Sequence, residues 1–221
     1  GKSGEINIVT LSIVINNIML SQTIQDAKAM LNAFKLKFTY RYTDRPVYKK
    51  ERESVAAHTW GCMITADYLL EKLETLAPGK YKLDREKIYS LITYHDLIEA
   101  ETGDVDIDPA YKAEQMSKPE VEKQAMKVFP QKLPKEIQAR FLEMLHEYEQ
   151  RKTLESKFVK VVDIIECEYL IHDQKELYTN WTKEYRESIR RPHFKDFPEL
   201  EFLLDELLEF YMDNNYFWYD A

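Results

Sequence analysis

Glycine is scarce in this chain, and cysteine is scarcer still. The 221 residues include 5 Gly, and none of them form G-x-G-x-x-G or G-x-x-x-x-G-K-[ST], which excludes the glycine-rich phosphate loops of Rossmann and P-loop proteins. The 2 Cys form no C-x-x-C motif and cannot build a disulfide framework, so we expect a reducing, cytoplasmic setting. Runs of 18 apolar residues are also missing, so no segment is expected to span a membrane.

Positive charge is in deficit as well. Lys and Arg number 31 against 39 Asp and Glu, which gives a formal net charge of -8. A protein that coats nucleic acid or binds membranes through a polybasic surface normally has the opposite balance. We therefore expect neither a nucleic-acid polymer nor a membrane as a partner. Aromatic residues are plentiful, with 15 Tyr and 10 Phe, and these large side chains favour one well-packed core.

Apolar residues recur at helical spacing through almost the whole chain, and no sustained alternation or two-residue hairpin turn appears. The fold class predicted is all-α, in a single domain. Residues 104–117 are interpreted as a loop, and a Pro opens each of the two helices that follow it. Met19 is a plausible natural start, so residues 1–18 are predicted to be an N-terminal extension or a cloning remnant, ahead of a domain at 19–221. The predicted helices lie near 23–37, 54–76, 84–101, 119–128, 135–151, 154–173, 175–191 and 198–213.

Three polar residues lie on the apolar faces of three separate predicted helices. These are His58, His95 and Asp163, and Asp96 directly follows His95. A carboxylate that is buried without a partner costs several kcal/mol, so Asp163 needs one. Two imidazoles and two carboxylates that converge on one point would suit a divalent cation of the Mn, Fe, Co, Ni or Zn group. The sequence therefore indicates a candidate metal site.

Each of these residues also has a simpler interpretation. A single His on an apolar face is more often a hydrogen-bonded core residue, and a buried Asp often caps a helix or belongs to an ion pair. The metal interpretation is favoured because three helices each contribute one such residue. Two further acids, Glu99 and Asp104, follow nearby. Glu99 comes four residues after His95 on the same helix face, where it could orient or deprotonate a water molecule beside the metal. The alternatives are a solvated helix-end acid for Glu99 and a loop cap for Asp104.

A basic segment precedes His58. Residues 35–52 contain seven Lys and Arg against one Asp and one Glu, a local charge of +5 in a chain of net charge -8. A guanidinium fork suits a terminal phosphate, so Arg41 and Arg45 are both candidates for holding one. The alternative is a solvated basic segment with no binding role.

At these residues the sequence resembles the HD-domain metal-dependent phosphohydrolases, and within them a 5'-deoxynucleotidase-like branch. Residues 53–60, ESVAAHTW, resemble that branch's E-S-V-A-E-H-S-W. Residues 95–105, HDLIEAETGDV, resemble H-D-x-x-E-x-x-x-G-D-[IV]. Residues 147–163, EYEQRKTLESKFVKVVD, resemble E-Y-E-x-x-x-T-x-E-A-x-F-V-K-x-x-D. The His-Asp doublet alone is unspecific, whereas the second and third segments together are highly specific.

The resemblance implies an HD-domain helical bundle, usually a homodimer, that hydrolyses phosphomonoesters of deoxynucleosides. The partner it implies is a small-molecule nucleotide, and the cofactor is one divalent metal ion, with Mn, Co, Fe, Ni, Zn and Mg as candidates. By matching positions, Glu99 and Asp104 carry over as catalytic and substrate-positioning acids. The metal ligands carry over to His58, His95, Asp96 and Asp163.

The sequence departs from the branch upstream of His58. The branch has an Arg-Trp or Arg-Thr-Gly-Trp element there, whereas residues 41–46, RYTDRP, contain no Trp. We therefore expect the protein to discriminate less sharply between ribose and deoxyribose substrates than typical members do.

Two other functions stay open. One is an HD phosphohydrolase acting on a triphosphate or an alarmone, whose extra phosphates would need more cations than the sequence shows. The other is a helical interaction module with a vestigial site, against which the complete ligand set argues.

Overall fold

A computed structural model of the chain describes residues 8–42, 52–106, 111–173 and 181–217. Within these ranges the regular structure is helical, and the extended pairing consists of one isolated antiparallel bridge between Tyr40 and Ser54. The prediction of an all-α fold is therefore confirmed. The helices are α1 Ile8–Phe34, α2 Val55–Leu76, α3 Arg85–Tyr94, α4 Glu99–Thr102, α5 Lys112–Ala125, α6 Lys135–Gln150, α7 Leu154–Asp173, α8 Lys183–Arg190 and α9 Glu201–Asp213, with 3₁₀ turns at Lys35–Phe38, Pro130–Lys132, Arg191–Phe194 and Pro198–Leu200.

Side-chain caps begin several of the helices. The hydroxyl of Ser54 accepts a hydrogen bond from the amide of Ala57 at the start of α2, and Asp84 accepts one from Lys87 at the start of α3. Each bond satisfies a backbone donor that has no partner within the helix. The turn between α6 and α7 depends on Arg151, which takes a left-handed conformation with φ 49°. This tight turn brings two long helices side by side.

Helix α7 is the centre of the bundle, because α2, α3, α6 and α9 all pack against it. Its residues Phe158, Val162 and Ile165 are fully buried. Burial of each such side chain contributes about 1.5–3 kcal/mol relative to exposure. A smaller apolar cluster around Phe129 and Phe141 lies beneath α4, α5 and α6. Since α2 and α3 both pack against α7, polar residues on the sides of these three helices that face one another lie close together.

The predicted helix over 84–101 is interrupted, and the interruption matters for the site. Helix α3 ends at Tyr94, and residues 95–98 form tight turns closed by bonds from Leu97 N to Tyr94 O and from Glu99 N to Asp96 O. Successive residues of a regular α-helix point about 100° apart. The tighter turn instead lets His95 and Asp96 approach the same point. The sequence concealed this break because Leu97 and Ile98 continue the apolar pattern and are buried.

Three other predicted boundaries were wrong or fall outside the described residues. The first helix, predicted to begin near residue 23, begins at Ile8 in the structure, whereas the division into residues 1–18 and 19–221 stays a prediction. Helix α5 begins at Lys112, inside the predicted loop, so Pro119 lies within the helix rather than at its start. The predicted helix over 175–191 is described from residue 181, and α8 begins at Lys183. Over the described ranges, no helix is both long and apolar enough to cross a membrane.

Candidate metal centre

His58 lies on the inner face of α2 and is fully buried. Its Nδ1 is 2.6 Å from Oε2 of Glu166 on α7. An ionised carboxylate only accepts hydrogen bonds, so Nδ1 carries the proton and Nε2 carries a lone pair. That Nε2 lies 3.3 Å from Oδ1 of Asp163 and 3.6 Å from Oδ2 of Asp96. The imidazole is thus held in the tautomer that a metal ligand needs.

His95 follows the last residue of α3 and is oriented in the same way. Its Nδ1 lies 2.8 Å from the carbonyl oxygen of Ile92, which can only accept, so Nδ1 donates and Nε2 is again the lone-pair atom. Nε2 lies 3.1 Å from Oδ2 of Asp96. It is buried, and no hydrogen-bond donor among the described residues reaches it. A buried nitrogen lone pair that no donor reaches indicates that this atom binds a positively charged partner, such as a metal ion.

The second carboxylate of the cluster, Asp163, is anchored on its outer side. Lys160 Nζ lies 2.6 Å from Oδ2, and the hydroxyl of Tyr148 lies 3.2 Å from the same oxygen. Oδ1 is therefore left facing His58. Burial opposes ionisation, but Lys160 and His58 hold the pKa of Asp163 well below its ordinary value, so the group is ionised.

When both imidazoles are neutral, the lone pairs of two imidazoles and two carboxylates face one another, and a cation bound between them removes the repulsion. Burial and the charge of Arg41 oppose protonation of His58, but Cys62, Glu166 and Asp163 outweigh them and raise its pKa, so the cluster attracts positive charge. Cys62 Sγ lies 3.6 Å from Nε2 of His58 and belongs to the same buried group. Burial raises the pKa of Cys62 to about 12, which keeps the thiol protonated and makes it a poor ligand. The donor set fits a divalent cation.

Sequence reasoning missed Glu166, although a signal for it exists. It comes one helical turn after Asp163, and Gly61 comes one turn after His58. A Cβ on Gly61 would collide with the Glu166 carboxylate, so the glycine provides the space in which that carboxylate reaches the imidazole. Gly61 and Glu166 lie on different helices. Their relationship can be recognised only once α2 and α7 are known to pack together.

Arg41 lies behind this carboxylate and also lines the cavity next to the cluster. Its Nη1 is 2.9 Å from Oε2 of Glu53 and 3.9 Å from Oε2 of Glu166. The main chain fixes its position, because the Arg41 amide donates to the carbonyl of Glu53 at 3.0 Å. Burial raises the pKa of Glu53 to about 7, against the opposing effect of Arg41. The other predicted arginine, Arg45, lies outside the described residues.

Glu99 stands on the short helix α4 with 4% of its surface exposed. Lys118 Nζ lies 2.7 Å from Oε1, while Oε2 is buried and has no hydrogen-bond partner among the described residues. Burial raises the pKa of Glu99 well above its ordinary value, and Asp96 adds to the rise. Asp104 is half-buried in the wall of the same cavity. Lys118 was missed because the loop predicted over 104–117 hid the helix that carries it.

The cavity beside the cluster has a volume of about 250 Å³. Its wall includes His95, Asp96, Glu99, Asp104 and Asp163, so the structure brings these predicted residues to one place. The sequence led us to expect too few cations for a substrate with several phosphates. That expectation was wrong, since five cationic side chains line the cavity: Arg41, Lys118, Arg151, Lys160 and Arg190.

Known proteins resemble the chain in both sequence and fold. The bovine 5'-deoxynucleotidase HDDC2 is 31% identical over 134 residues, which cover 61% of this chain and 56% of the bovine one. The chain thus spans little more than half the length of this curated relative. A predicted metal-dependent phosphohydrolase from Magnetospirillum magnetotacticum superposes with a TM-score of 0.70 at 20% identity, covering 89% of this chain and 96% of its own.

The PH0347 protein from Pyrococcus horikoshii superposes with a TM-score of 0.63 at 25% identity, covering 83% of this chain and 98% of its own. The HD domain profile matches residues 33–196, which include the residues of the cluster and all of those that line the cavity. The chain therefore belongs to the HD domain family.

Proposed function

We propose that the protein is a metal-dependent phosphohydrolase that converts nucleoside 5'-monophosphates into nucleoside and phosphate. The observation that carries the proposal is the convergence of Nε2 of His58 and His95 on the carboxylates of Asp96 and Asp163, beside a cavity lined by Arg41. The 5'-deoxynucleotidase activity named for the bovine relative points to the same class of substrate.

His58, His95, Asp96 and Asp163 would hold one divalent cation. A mixed set of imidazole and carboxylate ligands suits Mn, Fe, Co, Ni or Zn better than Mg, which prefers oxygen ligands alone. A cation bound there supplies Lewis-acid chemistry, since it polarises a phosphate oxygen and lowers the pKa of water. Lys160 and Tyr148 keep Asp163 oriented towards the cation. Glu166 does the same for His58, as outer partners of metal-binding histidines commonly do.

Glu99 is the proposed general base. Lys118 binds one of its oxygens and fixes the carboxylate, so the other oxygen is available to accept a proton from the attacking water. The water oxygen then bonds to phosphorus as the bond from phosphorus to the 5'-oxygen breaks. The proton taken up by Glu99 is passed to that 5'-oxygen, and neutral nucleoside leaves. Asp104, in the same wall, is proposed to position the sugar by accepting a hydrogen bond from a hydroxyl group.

Arg41 is the proposed phosphate ligand, because its guanidinium lines the cavity and is held in place by Glu53. Tyr42 lines the cavity beside it, with its ring centre 5.1 Å from the Arg41 guanidinium carbon. Tyr42 directly follows Arg41 in the sequence, as the tryptophan follows the arginine in the Arg-Trp element of the related branch. We propose that Tyr42 packs against the sugar, and that it separates ribose from deoxyribose less sharply than a tryptophan would.

Release of inorganic phosphate tests the proposal. Matched pairs such as AMP and dAMP would be supplied with Mn, Co, Mg or Zn, and Asp163→Asn would serve as the control, since it keeps the side-chain shape but removes one ligand charge. We expect turnover of the monophosphates by the wild type and loss of at least about two orders of magnitude in the control. Triphosphates hydrolysed much faster than monophosphates would favour the alternative nucleotide class. A metal-loaded protein that hydrolyses neither would contradict the proposal and favour an interaction module.

Two further predictions accompany this function. A homodimer is supported by exposed apolar side chains at helical spacing on α2, namely Trp60, Ile64 and Tyr68. Light scattering that gives the mass of one chain would contradict it. A cytoplasmic location stays a prediction from cysteine usage, and fractionation of the native cells would test it.

A further inference from the structure

A second cavity adjoins the one at the metal centre and is strongly cationic. Its volume is about 260 Å³, and it shares the side chains of Arg151 and Lys160 with the first cavity. We call it the cationic recess; its lining residues are Arg151, Lys157, Lys160, Pro192, His193, Lys195 and Asp196. Four cationic side chains thus face one acid, in a chain whose net charge is -8. Positive charge concentrated in this way, against the overall balance, indicates an anionic ligand.

Part of this charge is not compensated by the residues around it. Lys157 is paired with Asp196 at 3.1 Å, and Lys160 is paired with Asp163. By contrast, Nε of Arg151 is buried, and no acceptor within the described part of the chain reaches it. Burying a charged donor without an acceptor is costly, so native proteins rarely leave one in that state without a ligand.

Arg190, in the wall of the first cavity, shows the same feature. It comes at the end of α8, is 6% exposed, and its Nε has no hydrogen-bond acceptor among the described residues. Its ion-pair partner Glu168 stands 3.5 Å away and is bonded more closely, at 2.8 Å, to Arg186. Arg151, which lines both cavities, and Arg190, which lines the first, therefore each have a side-chain donor without an acceptor.

The imidazole of His193 reports the electrostatic field in the recess. Burial lowers its pKa to about 4, and Lys160, Arg151 and Arg190 add to the fall. The ring is consequently neutral at physiological pH, and a dianion beside it would reverse this effect by favouring protonation. His193 thus offers a direct probe of whether an anion enters the recess.

We propose that the cationic recess binds a phosphate group, and that this group is a second phosphate of a substrate whose scissile phosphate lies at the metal centre. Only the second statement, that the phosphate belongs to a substrate bound at the metal centre, rests on the proposed function. A phosphate has enough oxygens to satisfy Arg151, Lys160 and Lys195 together, and the fork of Arg151 suits its geometry. Lys160 and Arg151 belong to both cavities, so one molecule with two phosphates can engage both.

Phosphate binding is tested first, without turnover. In protein stripped of metal by a chelator, inorganic phosphate is titrated while calorimetry follows binding and NMR follows the pKa of His193. We expect binding that raises the His193 pKa towards its ordinary range. Arg151→Gln and Lys195→Gln should each weaken binding by about tenfold or more, since a charge-assisted hydrogen bond is lost. Both side chains reach the surface, so folding is not at risk as it would be with the buried Arg190. Lys135→Gln, the same charge change on an exposed residue of α6, is the matched control.

Failure of the wild type to bind phosphate, or equal binding by all four proteins, would overturn the proposal. The phosphate-binding test does not depend on the proposed function, because it needs no catalysis.

The source of the phosphate is tested second, by comparing kcat/KM for AMP and for adenosine 3',5'-bisphosphate. We expect the bisphosphate to be favoured about tenfold in the wild type and in Lys135→Gln, and the advantage to vanish in Lys195→Gln. A recess that binds phosphate while the bisphosphate has no advantage would overturn the substrate assignment and point to free phosphate as the ligand.

Discussion

The carboxylate of Glu166 lies 2.6 Å from Nδ1 of His58, deep between α2 and α7. This contact decides which ring nitrogen of His58 faces Asp163 and Asp96, and it adds negative charge that makes Nε2 a stronger donor to a metal. Arg41 balances the charge from behind, at 3.9 Å. The orientation of the metal centre therefore depends on residues that do not face it.

Glu166→Gln should weaken metal binding by about tenfold to a hundredfold, because the amide oxygen still accepts from Nδ1 but carries no charge. Competition with a chromophoric chelator measures the change. Glu143→Gln, an exposed position on α6, should bind metal as the wild type does. Unchanged affinity in Glu166→Gln would mean that the carboxylate serves packing alone.

Gly61→Ala should destabilise the protein by about 1–3 kcal/mol, although Ala normally favours a helix over Gly. The added methyl group would collide with the Glu166 carboxylate and displace it from His58. Denaturant unfolding measures the loss. The double variant Gly61→Ala, Glu166→Ala should recover stability relative to the sum of the single changes, since no carboxylate is left to displace. Additive losses would contradict this account.

His95→Ala should lose stoichiometric metal and lower the melting temperature of the metal-loaded protein. Without Nε2 of His95 the cation is bound more weakly, and Asp96 and Asp163 are left close together with less compensation. Elemental analysis gives the stoichiometry. His146→Ala, on the exposed face of α6, is the control and should keep its metal. Full occupancy in His95→Ala would remove this residue from the proposed ligand set.

Glu99→Gln should keep the metal and the fold while kcat falls by at least about two orders of magnitude, the usual scale for a positioned acid or base. The amide can still accept a hydrogen bond from Lys118 but cannot take a proton from water. Steady-state kinetics with saturating metal gives kcat, and Glu101→Gln on the outer face of α4 is the matched control. Activity within a few-fold of wild type would reduce Glu99 to a structural partner of Lys118.

Arg41→Ala should raise KM and lower kcat/KM by about two orders of magnitude, because a charge-assisted contact to phosphate is lost. Arg41→Lys should keep the charge beside Glu166, and hence the metal, but not restore kcat/KM, since an ammonium cannot make the bidentate fork. Kinetics and metal content measured on the same preparations separate the two roles. Arg45→Ala should change little. A large effect at Arg45 with none at Arg41 would reverse the assignment.

The residues that converge on the cluster could be predicted because each lies on a strongly periodic helix or beside a distinctive motif. His58 interrupts an apolar face of α2, and Asp163 interrupts one on α7, so the sequence alone marks both as buried polar groups. What the sequence could not reveal is how the turn at 95–98 is wound. The backbone hydrogen bonds in this turn join residues three apart rather than four apart, which brings His95 and Asp96 together. None of the side chains at 95–98 indicates in the sequence that the helix is interrupted.

The partners of the cluster were harder to predict because they depend on contacts between distant elements. Lys118 reaches Glu99 from α5, in a polar stretch that begins inside a predicted loop. Arg190 reaches the cavity from α8, beyond the three motif segments at 53–60, 95–105 and 147–163. A charged residue on a polar helix looks like any solvated surface residue until the fold shows which cavity it borders.

The isolated bridge between Tyr40 and Ser54 has a consequence for the length of the sequence between its two ends. The amide of Arg41 bonds to the carbonyl of Glu53, and the amide of Val55 bonds to the carbonyl of Thr39, so both ends of the intervening sequence are fastened at one place. The entropic cost of lengthening a closed loop is small, about 0.6 kcal/mol for each doubling. A change in the number of residues between these two points should therefore cost little free energy, while the backbone bonds of Arg41 and Val55 keep Arg41 and the start of α2, which carries His58, in place.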